Sequence, residues 1–324
     1  AVWEKMTEEV KTIPKRPTEL VLIDPTDLAN GYAMTLPVNT IVIFVTSPSE
    51  DSTLSHYGDW NDTILTHEFA HILHLDTIEG LPKLLRMALG RVINVSRATP
   101  GWIVEGFATF QESRHAEGGR GRSNVAHMIK RMSVLEDEFP PLGNMDGFQT
   151  APPAGNLRYL FGQDFIQYVA DTTEPDASTD FIHIYGGWIP YWLPTKRAFG
   201  RRLVPMYRDW KAHLEDRYGA QAEEVRSRGL TETQAISDGI ATCMGPTWSP
   251  SGDQLVFSCA HPVDGSSIQL WSPTNGEDPK VELTGAFAKD FTWRGDGNAF
   301  FYSGTHTVNR FNLYDDVYFH TIGK

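Results

Sequence analysis

Apolar and polar positions along the first two thirds of the chain predict helices and one strand. Residues 63–75 are mostly apolar, with the stripe of a core helix and with their polar residues on one side. N-cap candidates lie at residues 59–62, and Gly80 followed by Pro82 predicts where this helix stops. Residues 40–45 are β-branched and apolar with almost no polar alternation, which predicts a strand.

Three further helices follow from the same kind of pattern. A second helix is predicted over residues 99–110, with Thr99 as its N-cap and Pro100 in its first turn. Residues 81–95 predict a helix inserted between the first two. Residues 201–218 predict an amphipathic helix that closes the first domain.

The last third of the chain has a different sequence pattern, so we divide the chain into domains of residues 1–230 and 231–324. Residues 248–258 realign with residues 293–303 at a constant offset of 45. Each copy continues into a second strand pair, and this length and rhythm are typical of one propeller blade. The pattern resembles the repeats of TolB-like β-propellers.

Two blades cannot close a propeller, which typically needs four to eight. The chain stops at Lys324, where a third blade should begin, so we expect a fragment of a longer protein. The alternative is that two unrelated hairpins are similar by chance.

Candidate chemistry lies in the run His67-Glu68-Phe69-Ala70-His71, inside the first predicted helix. Two histidines four positions apart lie about 40° apart around a helix axis, so both imidazoles point into one space. Glu68 lies about 100° further round, beside whatever the histidines bind. This arrangement suits a zinc ion with a catalytic carboxylate next to its bound water. The alternative is two surface histidines on an amphipathic helix.

A catalytic zinc usually takes three protein ligands, so a third is required. His74 lies about 10 Å along the helix axis from His67, too far to complete a tetrahedron, and we interpret it as a core or supporting histidine. Glu105 is the better candidate, because it falls among apolar residues in the helix over 99–110. A carboxylate there is costly unless it is paired or bound to a metal. The alternative is a buried salt bridge with an arginine such as Arg97.

The run at 67–71 and a second one, Trp102-x-x-Glu105-Gly106-x-Ala108, together resemble the gluzincin metallopeptidases, the group of thermolysin and aminopeptidase N. The resemblance covers roughly residues 20–215. It implies an α+β zincin-like metallopeptidase domain, mostly helical with a small sheet and an edge strand, here followed by all-β propeller blades.

The resemblance also implies roles for individual residues. His67, His71 and Glu105 would bind Zn²⁺, and Glu68 would be the general base of a peptidase. The chain departs from the group in its spacer of 33 residues between His71 and Glu105. Thr109 stands where thermolysin-like enzymes carry an aspartate that supports the site, so the group that orients the histidines is open between Asp76 and Glu112.

Peptide hydrolysis also needs a hydrogen-bond donor for the developing oxyanion. Residues 156–168 resemble the downstream helix of such enzymes, and within them Tyr159 is our first choice. His183 or Tyr185 is the second choice. For each residue the alternative is a packed side chain whose polar atom is satisfied elsewhere.

Substrate binding is expected near the first metal helix. Zincin folds place an edge strand just before that helix, here residues 40–45, and extended peptides bind such an edge by strand addition. Residues 29–33 are turn-like and are expected at the rim of the cleft. Related aminopeptidases carry a glutamate hereabouts that holds a free N-terminus, but only Tyr32-Ala33-Met34-Thr35 is present. We therefore favour an endopeptidase with a peptide or protein substrate; an aminopeptidase and a non-catalytic binding or scaffold protein are the alternatives.

The composition of the chain limits the partners that it can bind and indicates the cellular compartment in which it acts. The 324 residues carry a net charge of −13 at pH 7, which makes nucleic acid and anionic membrane surfaces poor partners. No apolar run approaches the ~18 residues of a transmembrane helix. Cys243 and Cys259 are equidistant from Ser251, the expected centre of a hairpin, so they face each other across two strands. A disulfide there favours a secreted or periplasmic protein, and two reduced cysteines are the alternative.

Overall fold

The structure is a computed structural model that describes residues 2–48, 54, 59–91, 99–146, 154–174, 176–185, 194–237, 239–274, 277–310 and 312–324. Its α-helices within these residues are α1 (Val2–Val10), α2 (Trp60–Asp76), α3 (Gly80–Leu89), α4 (Gly101–His115), α5 (Asn124–Leu135), α6 (Leu157–Thr172), α7 (Ala177–Tyr185), α8 (Pro194–Phe199) and α9 (Leu203–Ser227). None of these helices has the length and apolarity needed to cross a membrane.

A three-stranded sheet lies at the start of the chain, in the order β1 (Thr18–Ile23), β3 (Asn39–Phe44), β2 (Gly31–Met34). Strand β3 runs parallel to β1 and antiparallel to β2. The predicted strand is confirmed, but its expected edge position is wrong. Its first five residues are all buried, because a run without polar alternation is typical of a strand covered on both faces. The edge nearest α2 belongs to β2.

Helix α2 is the centre of the first core. Asp59 caps it, accepting hydrogen bonds from the backbone N–H groups of Asn61 and Asp62, as the sequence predicts. Eleven of its 17 residues are buried, and they pack against α1, β3 and α4. The helix therefore holds its polar side chains in a rigid, largely dry setting.

Helix α4 begins differently from the prediction. Its N-cap position is Pro100, and the expected side-chain cap from Thr99 is wrong. The Asp146 carboxylate instead accepts hydrogen bonds from the backbone N–H groups of Gly101 and Trp102. A residue 45 positions away thus supplies both the cap and the negative charge that favours a helix N-terminus.

Helix α4 also packs closely against α6. Around this contact lies a second core, which α9 closes and which contains Trp102, Phe161, Phe165, Trp210 and Leu214. The helix predicted over residues 201–218 is present as α9 but continues to Ser227. The inserted helix predicted from residue 81 is α3, which ends at Leu89; residues 92–98 lie outside the described part of the chain.

The last third forms two antiparallel sheets. The first contains β4 (Thr242–Trp248), β5 (Leu255–His261), β6 (Gly265–Trp271) and β7 (Lys280–Thr284), and the second contains β8 (Ala288–Trp293), β9 (Ala299–Val308) and β10 (Asn312–Thr321). The two aligned repeats correspond to the β4–β5 and β8–β9 hairpins. Within the described residues these sheets do not close a ring, so the propeller and the division at residue 230 stay predictions.

The two cysteines face each other as the hairpin geometry predicts. Cys243 and Cys259 are register partners in β4 and β5 and form a disulfide with a Cα–Cα distance of 4.1 Å. The register shifts between Met244 and Thr247, where the strand has an irregularity. The first sheet is therefore covalently closed at the end of this hairpin away from its turn.

Candidate metal centre

Helices α2 and α4 bring three ligand atoms together. Nε2 of His67 lies 3.2 Å from Nε2 of His71. Oε2 of Glu105 lies 3.4 Å from the His67 nitrogen and 3.2 Å from the His71 nitrogen. Both histidines are buried, and Glu105 reaches them from the second turn of α4. The structure thus unites the three residues that the sequence analysis names as ligands.

These separations suit a small tetrahedral ion. Zinc bonds of about 2.0–2.1 Å in tetrahedral geometry separate neighbouring ligand atoms by about 3.3 Å. The three observed separations are 3.2, 3.2 and 3.4 Å. Two imidazoles and one carboxylate are also a donor set found in catalytic zinc sites. The residues present therefore fit zinc.

Glu68 lies next to this triad and is 3% exposed. Its Oε2 is buried and has no hydrogen-bond partner among the described residues. A buried carboxylate oxygen without a partner is costly, so the position favours a group whose partner arrives with a ligand. Glu68 lines the same cleft as the triad, which places a proton acceptor beside the three ligand atoms.

Glu112 orients His67. Its Oε2 accepts a hydrogen bond of 2.8 Å from Nδ1 of His67, and Glu112 is fully buried. Because a carboxylate only accepts, the Nδ1 proton points to Glu112, which leaves Nε2 as the ring nitrogen that faces His71 and Glu105. Asp76, the other open candidate, instead binds Arg86 and Arg91.

The sequence contains a signal for this role of Glu112. It lies seven positions after Glu105, or about two helical turns, so both carboxylates project from one face of α4. Thr109, between them, is buried, and its hydroxyl has no described partner. The orienting carboxylate has therefore moved one turn along the helix from the position that the gluzincin resemblance implies.

Arg120 completes this arrangement, and the sequence analysis missed it. Its backbone N–H and Nε each donate 2.9 Å bonds to Oε1 of Glu112, and Nη2 donates a 2.8 Å bond to Oε2. The Gly- and Arg-rich sequence of residues 115–124 predicts a mobile loop near the cleft. Instead Arg120–Arg122 forms a 3-10 turn, and a Cβ on Gly121 would lie 2.6 Å from Gln163. The glycines around Arg120 were the available signal, since they permit this close approach.

Electrostatic interactions among these groups shift their pKa values. Burial alone would raise the pKa of the Glu112 carboxyl, but Arg120 and His67 outweigh it and lower that pKa to about 2. Burial and Arg120 oppose protonation of His67, yet the hydrogen bonds to Glu105 and Glu112 raise its pKa to about 9. Glu105 has a pKa well below its usual range, because the two histidines overcome the effect of its burial.

His74 is a core histidine, as predicted. It is buried, packs edge-on against Phe107 with ring centroids 5.5 Å apart, and neither ring nitrogen has a described partner. Burial lowers its pKa to about 3, so it is neutral at physiological pH. It is not among the residues that could hold the ion.

A cleft of about 350 Å³ opens over the triad, and Tyr159 forms part of its wall. The Tyr159 ring lies 6.1 Å from the His67 ring, and the Arg120 guanidinium lies 4.6 Å from its centroid. His183 is elsewhere: its Nδ1 lies 2.8 Å from Glu79, and its Nε2 lies 2.8 Å from the Val10 carbonyl. The Tyr185 side chain and Arg97 lie outside the described part of the structure.

Comparisons with protein-family models, with curated proteins and with solved structures yield no match to this chain.

Proposed function

We propose that this chain is a zinc-dependent peptidase of the gluzincin type that cleaves within peptide chains. The observation that carries the proposal is the convergence of His67, His71 and Glu105 at tetrahedral spacing beside the unpartnered carboxylate of Glu68. A structural zinc site would have no need of a buried carboxylate next to its ligands or of an open cleft above them.

In this proposal His67, His71 and Glu105 hold the ion. Bound zinc lowers the pKa of a water molecule towards ~7 and polarises the scissile carbonyl. Glu68 takes the proton that the attacking water releases and passes it to the leaving amine, so that one carboxylate acts as base and then as acid. Glu112 and Arg120 hold the His67 ring in place throughout.

Tyr159 is the proposed donor to the developing oxyanion. It stands in the cleft wall with its ring 6.1 Å from the His67 ring, and Arg120 lies over its ring. Burial raises the pKa of its phenol, so it keeps its proton at neutral pH and can donate.

The outer edge of β2, which pairs with no strand in the described part of the chain, is the proposed peptide-binding element. Gly31, Tyr32 and Ala33 from this strand line the cleft, and β2 pairs with β3 on its other side. An extended substrate could add to this edge through backbone hydrogen bonds, as strand addition requires. Trp60 and Ile64 of α2 provide an apolar wall beside it.

Internal cleavage, rather than removal of N-terminal residues, follows from the charges in the cleft. Among the described residues that line it, Glu68 and Glu105 are the only acids, and the mechanism uses both. No further described carboxylate lines the cleft to bind a free substrate amine. The Cys243–Cys259 disulfide supports action outside the cytosol, in a secreted or periplasmic setting.

The proposal is tested by mass-spectrometric analysis of a mixed peptide library after incubation with the protein. The Glu68→Gln variant, which keeps the shape of the side chain, is the matched control. Internal cuts made only by the unmutated chain are the expected result. Removal of N-terminal residues alone would point to an aminopeptidase, and no cleavage by either protein would favour a binding or scaffold role.

A further inference from the structure

Helix α3 is oriented with its apolar side outward. Leu81, Leu84 and Met87 share one side of the helix and are 59%, 61% and 76% exposed. The side that faces the protein carries Pro82, Leu85 and Arg86, and Arg86 binds the buried carboxylate of Asp76. Surface helices normally bury their long apolar side chains, so this exposed apolar face indicates a contact with something other than water.

Uncompensated positive charge borders the same helix. Lys15, Arg16 and Lys83 line a groove between α3 and the segment after α1, and none of them forms an ion pair with a described residue. Ile13, in that segment, is 76% exposed and also lines the groove.

The acids of this groove are already engaged. Asp76 binds Arg86 and Arg91, and Glu79 lies 2.8 Å from His183. Helix α3 carries no acidic residue at all. A local excess of cations on a chain with a net charge of −13 indicates an anionic partner for this face. The negative net charge of the whole chain argues against anionic membranes, but the charge along this groove is positive.

The chemistry of the face favours lipid over protein. Its exposed side chains are aliphatic or thioether groups with no polar atom that would need a specific partner, and the unpaired charges beside them are all positive. An apolar helix face flanked by Lys and Arg is the pattern of helices that lie in the membrane interface. At ten residues, or about 15 Å, α3 is too short to span a bilayer.

We propose that α3 and residues 13–16 dock this chain onto the surface of an anionic lipid bilayer. The apolar side chains of α3 and Ile13 enter the acyl boundary, and Lys15, Arg16 and Lys83 contact lipid phosphates. This inference does not depend on the proposed peptidase activity, and its test does not measure activity.

The test is co-sedimentation of the full chain with vesicles of phosphatidylcholine alone or with about one third phosphatidylserine. We expect binding to the anionic vesicles that high salt weakens. The triple variant Lys15→Glu/Arg16→Glu/Lys83→Glu should bind them at least about tenfold less. The double variant Leu84→Ser/Met87→Ser should also lose binding. The matched controls Lys324→Glu and Val263→Ser change exposed residues elsewhere and should bind like the unmutated chain.

Circular dichroism confirms that each variant remains folded. Absence of vesicle binding by the folded, unmutated chain would overturn the proposal. Equal binding to both vesicle types that the charge variant leaves unchanged would also overturn it. Concentration-dependent dimerisation that Leu84→Ser/Met87→Ser abolishes, without vesicle binding, would assign the face to a second copy of the chain instead.

Discussion

Gly106 and Gly162 face each other where α4 crosses α6, so closely that a Cβ on Gly106 would lie 2.5 Å from the carbonyl carbon of Gly162. In the reverse direction, a Cβ on Gly162 would lie 2.4 Å from the carbonyl oxygen of Trp102. This contact sets the distance between the helix that carries Glu105 and the helix that carries Tyr159. The glycine directly after the proposed ligand is therefore a packing requirement of the centre.

Gly106→Ala should destabilise the protein by about 1–3 kcal/mol, because the neighbouring atoms are backbone and cannot move aside. Urea denaturation measures this change in the free energy of unfolding. Gly219→Ala in α9 is the control: its added Cβ meets nothing within 4 Å, so the better helix propensity of alanine should leave stability unchanged or raise it by up to ~1 kcal/mol. Equal effects of the two substitutions would refute the close-packing argument.

Glu112→Gln should weaken zinc binding by about 10–100-fold, because the amide holds the His67 ring less firmly and does not enhance its basicity. Competition with a zinc-binding dye measures the affinity. Asp76→Asn is the matched control, since Asp76 binds Arg86 and Arg91 and touches no proposed ligand. If both variants bound zinc like the unmutated chain, the assigned role of Glu112 would be wrong.

His74 makes stability depend on pH. Its pKa is about 3 in the folded protein, against about 6.5 for a free histidine. As the pH falls below 6.5, the unfolded chain therefore takes up a proton that the folded chain does not, and stability is progressively lost until the pH reaches the folded pKa. Between pH 7.5 and pH 5 the loss is about 2 kcal/mol.

His74→Leu should remove this part of the pH dependence. The measurement is urea denaturation of both proteins at several pH values, in which the stability of the unmutated chain relative to the variant should fall towards acid. Parallel curves for the two proteins would mean that His74 is not held neutral by its burial.

The sequence predicted most of the centre but little of what surrounds it. The spacing of His67 and His71 on one helix is a local property, and so is the capping of α2 by Asp59. Both can be predicted from the sequence because the geometry of a helix is regular. Glu105 lies on a second helix, so its position beside the histidines depends on how the two helices pack. It was identified because a buried carboxylate is costly unless it is paired or bound to a metal.

Features that depend on distant contacts were missed. Asp146 caps α4 from 45 residues away, and Arg120 supports Glu112 from a turn that was expected to be mobile. The order of the sheet also places β2, not β3, at the edge near the cleft. None of these follows from periodicity, because each is determined by how elements pack. The orientation of α3 is another such feature, because the sequence pattern does not show which side of this helix faces the protein.

Removal of the disulfide should affect stability without affecting the metal centre. Cys243 and Cys259 are separated by 16 positions, and closing a loop of this size contributes about 3 kcal/mol in the chain-entropy model. The Cys243→Ser/Cys259→Ser variant should therefore unfold at lower urea concentration, while its zinc content stays at that of the unmutated chain. Loss of zinc from this variant would show that the sheet and the centre depend on each other.

The most direct test of the central claim measures bound zinc and peptide turnover on the same sample of the Glu68→Gln variant. We predict one zinc ion per chain, as in the unmutated protein, and turnover lower by about 10²–10⁴-fold, because the proton acceptor is lost while His67, His71 and Glu105 remain. Turnover close to that of the unmutated chain at full zinc occupancy would contradict the assignment of Glu68 as the general base.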